Sequence, residues 1–371
     1  MRKLLTGALV FITIAVSLAW LFCCLTPYLS PVLFWPMAFF ALGFPYLIPV
    51  VLLLAICWVF INKKVALFLL LLFFAAFQNL ITTFGSNFRH VPTIERKKGV
   101  LRILTWNVRG FDNPCEYADT PNSRRRQMLA YISAVDPDVL CFQEFSEFFV
   151  PGCYSNTEEL QKRGYRYFYK TNETTRNHGY GPVVSGSAIF SKLPIVDTCR
   201  VLLGDPSYPE YLASADIHFN NRPVRVFSTH FKSINLFTSP PTAGNRIIFY
   251  GDSNIVYNTG KLQKLKLFAQ AHTREAIIAK NAVRNSPFPV IVGTDMNSVP
   301  VSYQYHMLAA GLQDAFVAQG SGLGNTMDSL PKTLRIDYLL VDKRFSITNF
   351  RKDELHLSDH FPQFIDVYWK E

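Results

Sequence analysis

The sequence predicts a mixed α/β (α+β) domain preceded by a three-helix transmembrane region, and three observations carry that expectation. The first 85 of the 371 residues contain three long apolar stretches and no acidic residue, the first acid being Glu95. From residue 99 onward, short β-branched runs alternate with stretches of helical spacing. Several of those runs end on polar residues that are costly to bury in an apolar core.

The apolar stretches are residues 5–25, 36–61 and 65–84. Each approaches or exceeds the ~20 residues that an α-helix needs to cross a bilayer core. Only Arg2, Lys3, Lys63 and Lys64 are charged in this region. The first stretch begins like a secretory signal, but its apolar run is long and no small-x-small cleavage site follows, so a retained span is expected. The Lys/Arg bias puts the N-terminus inside, the uncharged 26–35 link outside and Lys63-Lys64 back inside. Three crossings then leave the C-terminal part extracytoplasmic, in an inner or plasma membrane; the basic group Arg96-Lys97-Lys98 argues mildly the other way. The expected division is an anchor over 1–85, a linker over 86–98 and a catalytic domain over 99–371.

Five runs read as buried strands. They are 103–107, ending on Asn107; 138–144, ending on Gln143-Glu144; 224–230, ending on His230; 290–297, ending on Asp295-Met296-Asn297; and 335–341, with Asp337 near its start. Ser358-Asp359-His360 follows close to the C-terminus. One such run would mean little, but five in succession predict a shared site along a sheet edge. Residues 122–135 and 261–284 have helical spacing. The segment 232–259, rich in Ile, Leu and Phe, is too long for an ordinary connection. It is expected to be either a local extension packed on the domain or a lip that touches lipid. A smaller Gly- and Asn-rich insertion, 171–184, is expected near the same cleft.

In this order the runs resemble the endonuclease/exonuclease/phosphatase superfamily, which includes DNase I-like nucleases, neutral sphingomyelinases and inositol polyphosphate phosphatases. The resemblance covers roughly residues 99–371. Its most specific pieces are Gly293-Thr294-Asp295-Met296-Asn297 and Ser358-Asp359-His360; Trp106-Asn107 and Gln143-Glu144 are weaker alone. Residues 185–192 resemble a further family strand. The resemblance implies two packed β-sheets flanked by helices, a four-layer β-sandwich of the DNase I-like type.

Phosphoester hydrolysis needs neutralised phosphate oxygens, an oriented water and help for the leaving oxygen. Glu144 suits a hard divalent ion, Mg²⁺ or Mn²⁺, and the resemblance adds Asn107 and Asp359 around that ion. Asp295 is expected to orient or deprotonate the water, and Asn297 to hydrogen-bond the phosphoryl group; at i and i+2 both can face one side of a strand. His360 is expected to contact phosphate or transfer a proton, with Asp337 setting its tautomer. His230 resembles the second phosphate-side histidine of the DNase I, sphingomyelinase and inositol phosphatase branches. Arg109 stands where abasic-site nucleases of the superfamily carry an acid. His178, His218, His272, His306 and His356 have no motif support and are expected to be structural or solvated; Lys232 and Arg246 are weaker phosphate-contact candidates.

Composition narrows the partners. The net charge is +10; the anchor contributes four basic and no acidic residues, and the remaining 33 basic and 27 acidic residues leave an excess of six. That excess suits a phosphorylated substrate or an anionic membrane surface. Neither a Walker-type loop nor a Gly-x-Ser-x-Gly elbow occurs, which disfavours covalent catalysis. Cys115 and Cys153 lie in loop-like sequence, where either a disulfide or free thiols fit. Three readings remain: a membrane-tethered hydrolase of a lipid-linked phosphate (favoured, as membrane-anchored family members related to glycopeptide-resistance proteins act on polyprenyl pyrophosphates), a tethered nuclease acting on DNA or RNA, and an inactive scaffold.

Overall fold

The computed structural model describes residues 2–112, 115, 120–177, 181–206, 209–233, 261–329 and 331–370. The apolar N-terminal region forms helices α1 (Arg2–Leu25), α2 (Met37–Val59), α3 (Lys63–Ala75) and α4 (Phe77–Thr83). Two of them, Leu4–Leu25 and Met37–Val59, are long and apolar enough to cross a membrane. The third expected span is not one straight helix: α3 and α4 meet at a 57° bend. The apolar run gives way there to Gln78, Asn79, Thr82 and Thr83, whose polar groups need partners in an apolar setting. Asn79 donates to the Cys23 carbonyl near the end of α1 (2.7 Å), and Thr83 donates to the Asn79 carbonyl (2.7 Å).

The remainder is built on two sheets. Strands β1 (Phe84–Ser86) and β12 (Ser321–Leu323) form a small separate pair. The first large sheet contains β2 (Leu101–Asn107), β3 (Val139–Phe148), β4 (Tyr167–Lys170), β5 (Thr174–Asn177), β6 (Pro182–Ser191), β14 (Phe345–Lys352) and β15 (Gln363–Trp369). Its order is β14-β15-β2-β3-β6-β4, with β5 also on β6. The second contains β7 (Ile195–Leu202), β8 (Tyr211–Phe219), β9 (Arg222–His230), β10 (Val290–Asp295), β11 (Leu312–Asp314) and β13 (Asp337–Asp342), ordered β11-β13-β10-β9-β8-β7.

Strand alternation explains why the sheets stack. Leu101, Ile103, Cys141 and Ile189 from the first sheet meet Ala213, Val226, Ile291 and Leu339 from the second in one apolar cluster. The intervening residues face outward under helices. Leu104, Trp106, Leu140 and Phe142 pack against Met128, Leu129 and Ile132 of α5 (Arg124–Val135). Phe227, Val292 and Leu340 pack against Ala276 and Ala279 of α7 (Lys261–Arg284) and Leu308 of α8 (Tyr303–Ala309). Short helices α6 (Asn156–Lys162) and α9 (Ala315–Gln319) complete the fold. The result is the four-layer sandwich the sequence predicts.

Ser123 caps α5 by accepting from the Arg126 amide, so the expected 122–135 helix begins two residues later. Residues 174–177 of the expected 171–184 insertion are strand β5. Cys115 and Cys153 are joined by a disulfide, settling that pair in favour of the bridge. Residues 234–259 of the long apolar segment, Arg246 among them, lie outside the described residues, as does His178.

Candidate active site

Sheet register brings the polar strand ends together. His230 ends β9 and pairs in parallel register with Asp295 at the end of β10. Asp295 pairs in antiparallel register with Asp337 at the start of β13. Residues paired across neighbouring strands share a face, so three strands deliver three ionisable groups in one row. In the opposing sheet Asn107 ends β2 opposite Gln143, and the β3–β6 register then skips between Phe142 and Phe145. Glu144 sits in that irregularity with φ 51°, a bulge that re-aims its side chain. Gly293 is required where the sheets approach: a Cβ there would lie 2.7 Å from Cys141 Cβ and 2.8 Å from Thr105 Oγ1.

Asp295 is the hub. Its Oδ2 accepts from Asn107 Nδ2 (3.1 Å) and lies 3.7 Å from His230 Nε2 and 3.6 Å from His360 Nδ1. Its Oδ1 accepts from the Asn297 amide (3.0 Å), holding Asn297 in a left-handed conformation (φ 46°) that asparagine tolerates. Asn107 Nδ2 also donates to Glu144 Oε1 (3.0 Å), which is 3.8 Å from His230 Nε2. Asn297 Nδ2 lies 3.2 Å from His230 Nε2 and donates to the Phe231 carbonyl. His360 Nδ1 lies 3.0 and 3.1 Å from the Asp337 oxygens, the expected histidine–carboxylate pair. Asn107, His230, Asp295, Asp337 and His360 are buried, whereas Glu144, Asn297 and Asp359 are half-buried. Asp359 lies 3.5 Å from the exposed Arg109. Seven of the eight expected site residues thus meet through direct contacts, while Asp359, next to His360 in sequence, contacts Arg109 and accepts from Ser358 Oγ (3.2 Å).

Burial opposes ionisation of Glu144, His230 and His360, and neighbouring charges answer it. Burial pushes the Glu144 carboxyl up and Asp359 adds to this, while His230 and Asn107 pull it down; the net is upward. Burial alone would lower both imidazoles. Glu210, Asp295 and Glu144 instead hold His230 well above the ordinary histidine value, and Asp337 with Asp295 raises His360 to about 10. Both shifts favour the imidazolium form.

The ligand atoms of Asp295, Asp337 and His360 lie within 4.8 Å of one another, so a divalent ion fits the donor set, mainly carboxylate oxygen. This trio differs from the expected Asn107, Glu144 and Asp359. Asp337 and His360 are already hydrogen-bonded to each other.

Sequence reasoning missed a second carboxylate group behind His230. Glu210 Oε2 is 3.6 Å from His230 Nδ1. Glu173 Oε1 accepts from Thr171 Oγ1 (2.8 Å) and the Ser187 amide (3.2 Å), and Glu275 Oε2 accepts from the Lys232 amide (3.3 Å). Burial, reinforced by Glu210, raises both Glu173 and Glu275 to about 8. For Glu275 the sign is clear: its stabilising contribution is complete below about pH 4.5 and disappears as pH rises through about 8. At ~1.4 kcal/mol per pKa unit, Glu275→Gln should remove a loss of up to about 5 kcal/mol. Thermal melts at pH 5 and 8.5 would then differ less in the variant, and an unchanged difference would contradict the assignment.

The comparisons agree with this architecture. The family model described as Endonuclease/Exonuclease/phosphatase family matches residues 104–360. The chain belongs to that family, whose members are phosphoester hydrolases and generally depend on a divalent metal. Residues 2–84 match a second family model, a domain of unknown function. Solved structures share the fold at low identity. An endonuclease/exonuclease/phosphatase from Beutenbergia cavernae is 18% identical, with 73% of this chain and 72% of that chain covered and a TM-score of 0.51. One from Bacteroides vulgatus is 16% identical, with 74% and 100% covered and a TM-score of 0.51. The human Nocturnin catalytic domain with bound sulfate anion is 17% identical, with 77% and 99% covered and a TM-score of 0.51. No curated protein matches the chain.

Proposed function

We propose that this protein is a membrane-anchored, divalent-metal-dependent phosphoester hydrolase whose substrate is a lipid-linked phosphate or phosphodiester. The observation that carries the catalytic part is the Asp295 hub, one carboxylate within 3.7 Å of two histidines and hydrogen-bonded to Asn107. A bound Mg²⁺ or Mn²⁺ would neutralise phosphate oxygens and lower the cost of charge in the transition state. Glu144 would hold it, with Asn107 and Asp359 completing the environment.

The chain's own groups then have distinct tasks. Asp295, fixed by Asn107 and the Asn297 amide, accepts a hydrogen bond from the attacking water and takes its proton. His360 is oriented through Nδ1 by Asp337, which leaves Nε2 to face the phosphoryl oxygen or leaving group. His230 and Asn297 supply positive charge and a donor on the other side. Arg109, exposed beside Asp359, meets a phosphate at the mouth.

Two apolar helices of spanning length support the membrane part, and the Cys115–Cys153 disulfide suits an oxidising, extracytoplasmic compartment. The test is a panel of polyprenyl pyrophosphate, phospholipid and plasmid DNA presented to the full chain in vesicles with Mg²⁺ or Mn²⁺. Turnover of a lipid-linked phosphoester is expected. Plasmid cleavage without lipid turnover would make this a tethered nuclease instead.

A further inference from the structure

The anchor does not meet the catalytic domain only through the polypeptide link. Val299 and Val301, which follow Asn297 by two and four residues, are buried in the same apolar cluster as Trp20, Phe44 and Trp58 of the anchor. Leu334, three residues before Asp337, packs against that cluster. Thr333 Oγ1 donates to the Tyr46 hydroxyl (3.4 Å), a residue well inside α2. Arg335, buried, donates to the Thr82 carbonyl at the end of α4 (3.1 Å) and is held by Asp314 at 2.8 Å. Tyr338 then ties the two loops together, its hydroxyl lying 2.7 Å from the Ser298 carbonyl and 2.9 Å from the Arg335 carbonyl.

The loops that leave Asp295 and lead into Asp337 are therefore seated on the side of the anchor. At ~3.6 Å per extended residue, Asn297 lies no more than ~7 Å along the chain from a side chain packed among the anchor helices. The link between α1 and α2 also exposes Tyr28, Leu33 and Phe34, and Phe88 is exposed just beyond β1. Exposed aromatic residues beside spanning helices mark headgroup depth. The opposite end of the sandwich is remote: β9 runs nine residues from Arg222 to His230, about 30 Å at strand rise.

We infer that the catalytic mouth is held in the headgroup layer of the bilayer, so that the site takes an amphiphile whose phosphoester lies at the membrane surface and reaches it by lateral diffusion. This rests on the membrane reading above and goes beyond it: the anchor forms one wall of the substrate's approach rather than acting as a tether.

The test is label depth in the full chain in phosphatidylcholine–phosphatidylglycerol vesicles, with the exposed Cys57 and Cys199 replaced by serine. A nitroxide is placed at Lys332→Cys, an exposed position beside Thr333. References are Asn221→Cys, in the exposed turn before β9, and Leu53→Cys, exposed on α2. Collision with oxygen against a water-soluble nickel chelate is then compared by electron paramagnetic resonance. The expected ratio at Lys332 is several-fold above that at Asn221 and below that at Leu53. Equal access of the chelate to Lys332 and Asn221, with Leu53 protected, would overturn this inference and leave the proposed hydrolase intact. A Leu53 label as accessible as Asn221 would overturn both. Because no turnover is read, an enzyme that fails the substrate panel still gives a decisive depth.

Discussion

Asp295→Asn is expected to lower turnover by about 10³-fold, within the range by which a positioned general base contributes. The substitution keeps the volume and an oxygen for the Asn297 amide, but the removed charge is the one that both histidines face. Its other effect is local: an amide nitrogen at the Oδ2 position would oppose Asn107 Nδ2, donor against donor, where Asn107 now donates at 3.1 Å. Melting temperature should therefore fall by a few degrees at most while kcat falls by orders of magnitude. Steady-state kinetics alongside a thermal melt check this, and a kcat within tenfold of wild type would remove Asp295 from the mechanism.

Metal removal is expected to have an effect of similar size. Chelation should abolish turnover by at least about 10³-fold, with Mg²⁺ or Mn²⁺ restoring it, because the ion supplies charge stabilisation that no side chain replaces. Glu144→Gln should raise the metal concentration for half-maximal activity by about 100-fold or more, since a neutral amide is a poor partner for a hard cation. Its effect on kcat at saturating metal should be smaller. That split separates a ligand from a general base: Asp295→Asn should depress kcat at every metal concentration.

The sequence made legible what depends on strand periodicity. Apolar alternation from Leu101 to Trp106 shows which residues face the other sheet and which face α5, and polar residues at the ends of those runs belong at one edge. His230, Asp295 and Asp337 fall in one register row for that reason. Glu210, Glu173 and Glu275 were not legible, because they reach His230 and its surroundings from a turn-rich loop, the start of a hairpin and a helix face. No spacing rule links those positions. The bend at Ala76 could be anticipated only from Gln78, Asn79, Thr82 and Thr83, the polar residues of an otherwise apolar tract. Arg335 opens a run read as a strand, and its link to Thr82 requires tertiary structure. The disulfide was open for the same reason, since Cys115 and Cys153 are 38 residues apart and their proximity is set by the fold.

Hydrolysis by this protein is expected to need a divalent ion bound beside Glu144. Mn²⁺ titration of the full chain, followed by electron paramagnetic resonance, measures it directly. One equivalent should bind to wild-type protein in step with the appearance of phosphoesterase activity, and Glu144→Gln should weaken that binding by about 100-fold. Full activity in chelated, Mn²⁺-free protein, or binding that Glu144→Gln leaves unchanged, would contradict the account.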